Sequence, residues 1–585
     1  MFVQIIRRKI LLYILSAGIF AASAVYITFP LAFRIGNLAT NLRDELLISW
    51  IHVSVLRNIF SDPLNLFEAN IFYPFHSVLS YSDLHLSSAL ISGVPYLISG
   101  EPISTLNTTL IFSLFLLGFA AFVQTYSVTK SFFSGILAGL LLQYSPVTLD
   151  KNVHVQILAI GWVLLAVFFY NKWLEKRKFS YFLLTLLFFQ IQVWNSFLPG
   201  YFILFSCTIL TIFTLVRSRQ NVFNLFQMKH VISLLISTVI LLPLIIPYFQ
   251  TAHEFSFRRD IREAVHLSLQ PEDLFYPNDL TRLWPLLHYF SQNNNYPENA
   301  EYKVGYIGFV FLLLSITSFC YAIQNRKRLS VFLLSILVIA VVGLILSFGP
   351  VLHLERRTVH LPFVIPLPYA LFYYLIPGFQ GIRAAYRWEM LFVLYMSVSV
   401  SLVVALIIDK FTVFKKCSLY FLMFFLIVAE YNPMRLYKVP QKIEFPKVYE
   451  VVKKLDTNAA IIEMPIYNWS MAPYSTQELM RVYYSSVHNL KMVNGASGFS
   501  PPPWQRQVTD LLQKFPSESS LRRMKSLGIK YIIVHSREYA TLKNDGYRVL
   551  GTEMQAGDDV VKSLMLSKKV RLIQQVDQDY IFMLL

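Results

Sequence analysis

Asp44 and Glu45 stand side by side in Leu-Arg-Asp-Glu-Leu-Leu, and Asp83 follows in Tyr-Ser-Asp-Leu-His. Adjacent carboxylates beside apolar sequence are costly unless they are solvated, paired or bound to a cation. Such groups can serve as a general base, or hold a metal ion that binds a phosphate leaving group. They also suit the first turn of a helix, where the dipole favours acids. His154 and Gln156 follow Asp150, Lys151 and Asn152, while Glu298 and Glu301 precede Tyr302. Arg383 and Arg387 stand four residues apart in Gly-Ile-Arg-Ala-Ala-Tyr-Arg-Trp, a spacing that puts both on one face of a helix. Two guanidiniums so placed suit a phosphate or pyrophosphate; they also suit snorkelling to lipid headgroups.

The elements that carry these residues follow from composition. Of 585 residues, 55% are hydrophobic and 15% charged, with a mean hydropathy of +0.51. An ordinary soluble chain is about one-quarter charged, so lipid is the expected solvent for much of this one. Apolar runs begin near Ile10, Thr105, Ser131, Val155, Phe179, Gly200, Val231, Val304, Leu329, Ala385 and Ser418, the last ending near Val428. With a span needing roughly 20 apolar residues, this predicts about eleven crossings. The run after Arg7, Arg8 and Lys9 has no small-residue cleavage site and reads as a first anchor rather than a leader. The three cysteines, Cys207, Cys320 and Cys417, lie in or beside apolar runs, which suggests no disulfide framework and no thiolate metal site.

The net charge of +17 does not imply nucleic acid, because the basic residues cluster between apolar runs. With the N-terminus inside, inner loops hold Arg7, Arg8, Lys9, Lys130, Lys172, Lys176, Arg177, Lys178, Arg217, Arg219, Lys229, Arg326, Lys327, Arg328, Lys410, Lys415 and Lys416 against Glu175 and Asp409. That asymmetry is the positive-inside rule, and it places the C-terminus outside. Three outer segments, Phe29 to Glu101, Gln250 to Tyr302 and Gly349 to Arg383, are too long to be plain turns, so function is expected there. Asp44 to Phe60 reads as an amphipathic helix lying in the membrane interface, and Ser82 to Ile98 as a second, with Ser82 as N-cap. The run to Leu375, broken by proline and by Pro377-Gly378, reads as re-entrant or interfacial.

Residues 1–431 therefore form a transmembrane domain, and 432–585 an extracytoplasmic one. In the latter, Lys447 to Leu455 and Ser520 to Leu527 read as helices. Ala459 to Met464, Lys491 to Asn494 and Tyr531 to His535 read as strands, and Val570 to Gln575 with Tyr580 to Leu584 as a hairpin. This alternation predicts a small α/β layer. No glycine fingerprint for a nucleotide follows any strand.

Together these features resemble the GT-C class of integral-membrane glycosyltransferases, in particular large bacterial members related to protein mannosyltransferases and aminoarabinose transferases. The resemblance rests on Asp44-Glu45 after the first span, Phe72-Tyr73-Pro74, Asp83-Leu-His85, Asn107, His154-Val-Gln156, Tyr302 to Gly308 and Arg383 to Arg387. In the C-terminal region it rests on Ile-Ile-Glu463-Met-Pro, Val-Asn-Gly495 and Gly528 to His535. It implies an α-helical polytopic membrane protein, GT-C-like, with a soluble α/β domain. It also implies an inverting hexosyl- or pentosyltransferase that uses a polyprenyl-phosphate sugar on the outer face of the cell membrane. The acceptor would be a glycan, a lipid or a protein, and membrane lipids the surroundings. Asp44 matches the general base, with Glu45 or Asp83 as a second acid. His154, Gln156, Glu301, Arg383 and Arg387 match substrate-binding positions. Many family members carry Asp-x-Asp or Glu-x-Asp where the acids here are adjacent, which leaves both the choice of base and a divalent cation open.

Two other readings fit a polytopic chain. A transporter or flippase of a lipid-linked sugar expects ionisable residues near the bilayer midplane and internal repeats; the spans hold few deep charges and show no clear repeat. A non-catalytic envelope assembly protein would use the outer domain to bind a partner.

Overall fold

The computed structural model describes residues 2–37, 44–152, 154–218, 227–277, 280–282, 305–355, 357–360, 362–431, 441–468, 474–549 and 551–585. In chain order the longer helices of the first three-quarters are α1 (Phe2–Ile27), α2 (Asp44–Ser61), α3 (Leu86–Ser99), α4 (Ile103–Thr129), α5 (Phe132–Tyr144), α6 (Gly161–Lys176), α7 (Phe179–Asn195) and α8 (Phe197–Ser218). They continue with α9 (Met228–Phe255), α10 (Phe309–Asn325), α11 (Val331–Ser347), α12 (Glu389–Ile408) and α13 (Val413–Glu430). Each of the eleven expected spans falls on a helix. Six stretches, Lys9–Ile27, Ile103–Thr129, Val155–Lys176, Phe197–Arg217, Met228–Phe255 and Ala385–Ile408, are long and apolar enough to cross a membrane. The chain is thus a multi-pass membrane protein. Among the other expected spans, α5 has only 13 residues, about 20 Å of helix against a hydrocarbon core of roughly 30 Å.

The chain divides into two compact units. The first comprises Met1–Ile35, Asn107–Leu244 and Arg258–Pro440. Its centre is α12, buried almost without interruption from Glu389 to Val404 and packed against α5, α10 and α11. In a medium as apolar as the side chains, close packing rather than hydrophobicity holds helices together. Glycines permit it: a Cβ on Gly343 of α11 would stand 2.9 Å from Leu391 Cβ, and one on Gly139 of α5 would stand 2.2 Å from the Phe20 ring of α1. Glu430, the last residue of α13, accepts from the Tyr306 hydroxyl at 2.9 Å and the Phe309 amide at 2.7 Å. This satisfies an orphan donor at the start of α10.

The second unit comprises Gly36–Leu106, Ile245–Phe257 and Gln441–Leu585. Its sheet has five strands, β1 (Ala460–Met464), β2 (Lys491–Met492), β3 (Ile529–His535), β4 (Val570–Val576) and β5 (Asp579–Leu584), in the order β2-β1-β3-β5-β4. β1 runs parallel to β2 and β3; β5 is antiparallel to β3 and β4. The expected strands and hairpin are present. The helices Ser475–His488 (α14), Pro502–Lys514, Ser536–Asn544 and Gly557–Leu566 were not anticipated, because their polar faces hide a narrow apolar stripe that period counting in a mixed sequence does not isolate.

The first long loop is built into this layer. The β2 edge of the sheet is extended by residues 70–73: the Met492 amide donates to the Asn70 carbonyl at 2.7 Å, and the Tyr73 amide to Met492 at 2.9 Å. Phe72 packs edge-on to Trp504, centroids 4.8 Å apart. α2 packs on α14, with Arg57 donating to the Ser486 carbonyl at 2.7 Å. The expected interfacial helix is therefore corrected: from Glu45 to Leu56 every side chain of α2 is buried within the protein, because the edge of the α/β layer offers it partners on several sides. Ser82 is likewise not an N-cap. α3 starts at Leu86, after His85 with φ of 56°, and the Ser82 carbonyl instead accepts from the Tyr248 hydroxyl at 3.0 Å.

Candidate functional site

The first unit gathers a cluster of basic groups. Arg387 lies in the short turn Ala385–Trp388 that leads into α12, and Arg383 precedes that turn. The turn is held to the segment before it: the Tyr386 amide donates to the Leu267 carbonyl at 3.0 Å. Arg259 is fixed by its backbone, its amide donating to the Gln380 carbonyl at 2.9 Å and its carbonyl accepting from the Tyr373 hydroxyl at 2.5 Å. The Glu263 carboxylate lies 3.6 Å from Arg259 and 3.5 Å from Arg383. Burial draws the Arg259 guanidinium below its usual pKa; Glu263 opposes the shift, and Arg383 and Arg387 add to it.

Lys151 joins this cluster. It is 1% exposed, 2.6 Å from Asp150, and its ammonium sits 4.6 Å above the Tyr386 ring. Burial works against its charge, but Asp150, Tyr386 and Glu389 outweigh burial and hold it protonated above the usual range. His154, the residue before the helical turn Val155–Leu158, is pushed well below its usual pKa by burial and by Arg387, Lys151 and Arg383. It is thus a neutral imidazole among cations, able to donate or accept one hydrogen bond without adding charge. The Nε of Arg387 is buried and donates to no acceptor among the described residues. An unsatisfied buried guanidinium donor is costly and calls for an anionic oxygen.

Of the residues singled out in the sequence, His154, Arg383 and Arg387 come together here. Gln156 is buried close by in sequence, its carbonyl 3.5 Å from Asn195 Nδ2. Glu301 lies outside the described residues. Arg259, Glu263 and Lys151 were missed. Arg258-Arg259 in the second long loop was the available signal, and nothing local distinguished it from a solvated pair.

Asp44, Glu45 and Asp83 belong to the second unit. Asp44 and Glu45 make the first turn of α2, where unpaired amides and the dipole favour acids. Asp44 is half-buried and Glu45 3% exposed. Asp83 is half-buried near Tyr248. The His52 and His85 rings meet at 5.3 Å, both buried, and burial takes His85 down to about 3; they form a neutral pair. Among the described residues no three His, Cys, Asp or Glu side chains are grouped to hold a metal ion.

No protein-family model and no curated protein matches the chain. Solved structures do. The mycobacterial arabinofuranosyltransferase AftD superposes with a TM-score of 0.54 at 11% identity, over 98% of this chain and 40% of that one. The chain thus spans well under half the length of that transferase. Archaeoglobus fulgidus oligosaccharyltransferase AglB, solved with an inhibitory peptide and a dolichol-phosphate, matches with 0.42 at 11% over 90% and 70% of the two chains. ArnT from Cupriavidus metallidurans, solved with undecaprenyl phosphate, matches with 0.40 at 10% over 98% of each. The fold shared with AftD is the GT-C fold that the sequence resembles.

Proposed function

We propose that this chain is a membrane glycosyltransferase that takes its sugar from a polyprenyl-phosphate-linked donor at the extracytoplasmic face. The observation that supports the reading is the gathering of Arg259, Arg383, Arg387, Lys151 and a neutral His154, with an Arg387 donor that meets no acceptor among the described residues. Guanidiniums bind phosphate oxygens bidentately and neutralise the charge that grows on a departing phosphate. In an inverting transfer, a carboxylate takes the proton of the acceptor hydroxyl and that oxygen bonds to the anomeric carbon. The sugar–phosphate bond breaks, and its electron pair leaves on the polyprenyl phosphate. Asp44 is the position proposed as base, with Glu45 or Asp83 as the second acid; Glu301 and Gln156 are proposed sugar contacts. A divalent cation, the identity of the sugar and a glycan, lipid or protein acceptor enter only as parts of this proposal.

The test is transfer by purified protein from a radiolabelled polyprenyl-phosphate sugar. Asp44→Asn should abolish product while expression and thermal unfolding stay as in the parent chain. Full activity in that variant removes Asp44 from the chemistry. Counterflow of the lipid-linked sugar in proteoliposomes without covalent transfer would make the chain a transporter instead.

A further inference from the structure

The two edges of the five-stranded sheet differ. At β2 the edge is covered by residues 70–73, which bond to Met492. On the far side β4 is the last strand, paired with β5 alone among the described residues. Its sequence, Val-Arg-Leu-Ile-Gln-Gln-Val, contains no proline, lysine or acid, residues that natural proteins use to blunt an open edge. Arg571, Ile573, Gln574 and Gln575 are exposed. The register with β5 skips Ile573. Such a bulge increases the local twist, which suits the strand to a partner of matching twist rather than to any flat strand. Beside it, the helix Gly557–Leu566 packs against β4 and ends on Met565 and Leu566, exposed by 50% and 86%. An open edge of β-favouring residues with apolar side chains next to it is a surface for one more strand.

We infer that β4 pairs antiparallel with β4 of a second copy of this chain, across a two-fold axis at Gln574, joining two sheets into one. Charge chooses the occupant. From Val570 to Asp577 the only charged residues are Arg571 and Asp577, and both are exposed. With the axis at Gln574, Arg571 of one copy stands opposite Asp577 of the other. A two-fold contact repeats itself, so this pair forms twice. Opposite charges facing each other across strands stabilise the pairing, and like charges destabilise it. Leu572 then stands opposite Val576, apolar against apolar. Gln574 stands opposite its own counterpart, an amide that can both donate to and accept from its like. Sliding one copy by one residue sets Arg571 against Val576 or Gln578, and parallel pairing in register sets arginine against arginine. The strand is therefore complementary to itself in the two-fold arrangement.

The test uses the full chain in phosphatidylethanolamine–phosphatidylglycerol vesicles, with Cys207, Cys320 and Cys417 replaced by alanine. Under mild copper–phenanthroline oxidation, Gln574→Cys should give a disulfide-linked dimer, because a residue on the axis meets its own counterpart. Lys543→Cys, exposed on another element, should not. Arg571→Asp sets acid against acid twice and should lower the cross-linked fraction at Gln574→Cys about tenfold. Adding Asp577→Arg to that variant should restore it. Equal cross-linking from Gln574→Cys and Lys543→Cys reports chance collision and overturns the proposal. So does a cross-linked fraction that ignores Arg571→Asp, or one that Asp577→Arg leaves unrestored. A Gln574→Cys chain that stays monomeric at every protein-to-lipid ratio also sinks it. Cross-linking in native membranes to a different protein and never to a second copy assigns the edge to a foreign strand, which is equally fatal. Cross-linking is read without sugar transfer, so its failure leaves the proposed activity untouched, and an inactive but folded chain still gives an answer.

Discussion

The Glu263 carboxylate lies 3.5 Å from Nε of Arg383, and Arg259 approaches the same carboxylate at 3.6 Å. One acid thus restrains two guanidiniums that would otherwise repel each other and the nearby Arg387. Arg383 is 53% exposed and Glu263 39%, so solvent screens the pair and its worth lies in orientation more than in stability.

Removing that charge alters the field more than the shape. Glu263→Gln should leave thermal unfolding nearly unchanged and tighten binding of polyprenyl phosphate a few-fold, with a steeper loss of affinity as salt is raised. Titration of the lipid phosphate at two salt concentrations checks this. Weaker binding would show that restraint of Arg259 and Arg383 outweighs the added positive field.

Arg387 offers a buried donor with no acceptor among the described residues, so its loss should fall on donor binding. Losing a charge-assisted hydrogen bond to phosphate costs about 1.5–3 kcal/mol, or about 10- to 100-fold in KM for Arg387→Ala. Arg387→Lys should recover part of this but not all, since an ammonium lacks the planar fork. Steady-state kinetics at varied donor concentration separates KM from kcat; an unchanged KM would remove Arg387 from the phosphate.

In the α/β layer, His535 bridges Glu463 at 3.0 Å and Asp579 at 2.9 Å, joining β1, β3 and β5. Arg481, Glu538 and Tyr449 surround this group. Burial disfavours the imidazolium, but hydrogen bonds to Asp579 and Glu463 prevail and raise its pKa to about 9. Burial raises Glu478 to about 7, with Arg481 opposing. Both groups hold protons in the folded state that the unfolded chain releases earlier, so stability falls as pH rises. The His535 contribution is complete below its unfolded value of 6.5 and is lost through about 9. The Glu478 penalty grows from 4.5 to about 7. Unfolding temperature should therefore decline between pH 7 and about 9.5, and His535→Gln should flatten the decline over that range. A parallel decline in the variant would dissociate it from His535.

Gly495 faces Phe72, and a Cβ there would stand 2.7 Å from its ring, which also packs edge-on to Trp504. Gly495→Ala should destabilise the second unit by about 1–3 kcal/mol, as overpacking does. Phe72→Leu in the same chain should recover part of the loss, a coupling that a double-mutant cycle measures. Strictly additive losses would place the strain elsewhere.

The sequence by itself determined the solvent of this protein and the phase of its elements. Runs of apolar residues fix where helices lie, because a backbone in hydrocarbon must satisfy its own hydrogen bonds. The apolar run of Tyr531 to His535 and the polar Asp577-Gln578-Asp579 between two strand-like runs marked a strand and the hairpin of the α/β layer. What hydropathy could not determine is what each apolar face meets. α9 and the span leading into α12 have similar hydropathies of 2.4 and 2.7, yet 11% of one and 83% of the other is buried. α2 read as a surface helix and is enclosed, while α3 buries Ser87, Ser88 and Ser92 and exposes Leu90 and Leu97. Arg259 and Lys151 lie more than a hundred residues apart and joined one basic cluster only when folding set Arg259 near Arg387 and Lys151 near His154. Local sequence records a residue's own preference for water or lipid; the neighbour that satisfies that preference is chosen by contacts distant in the chain.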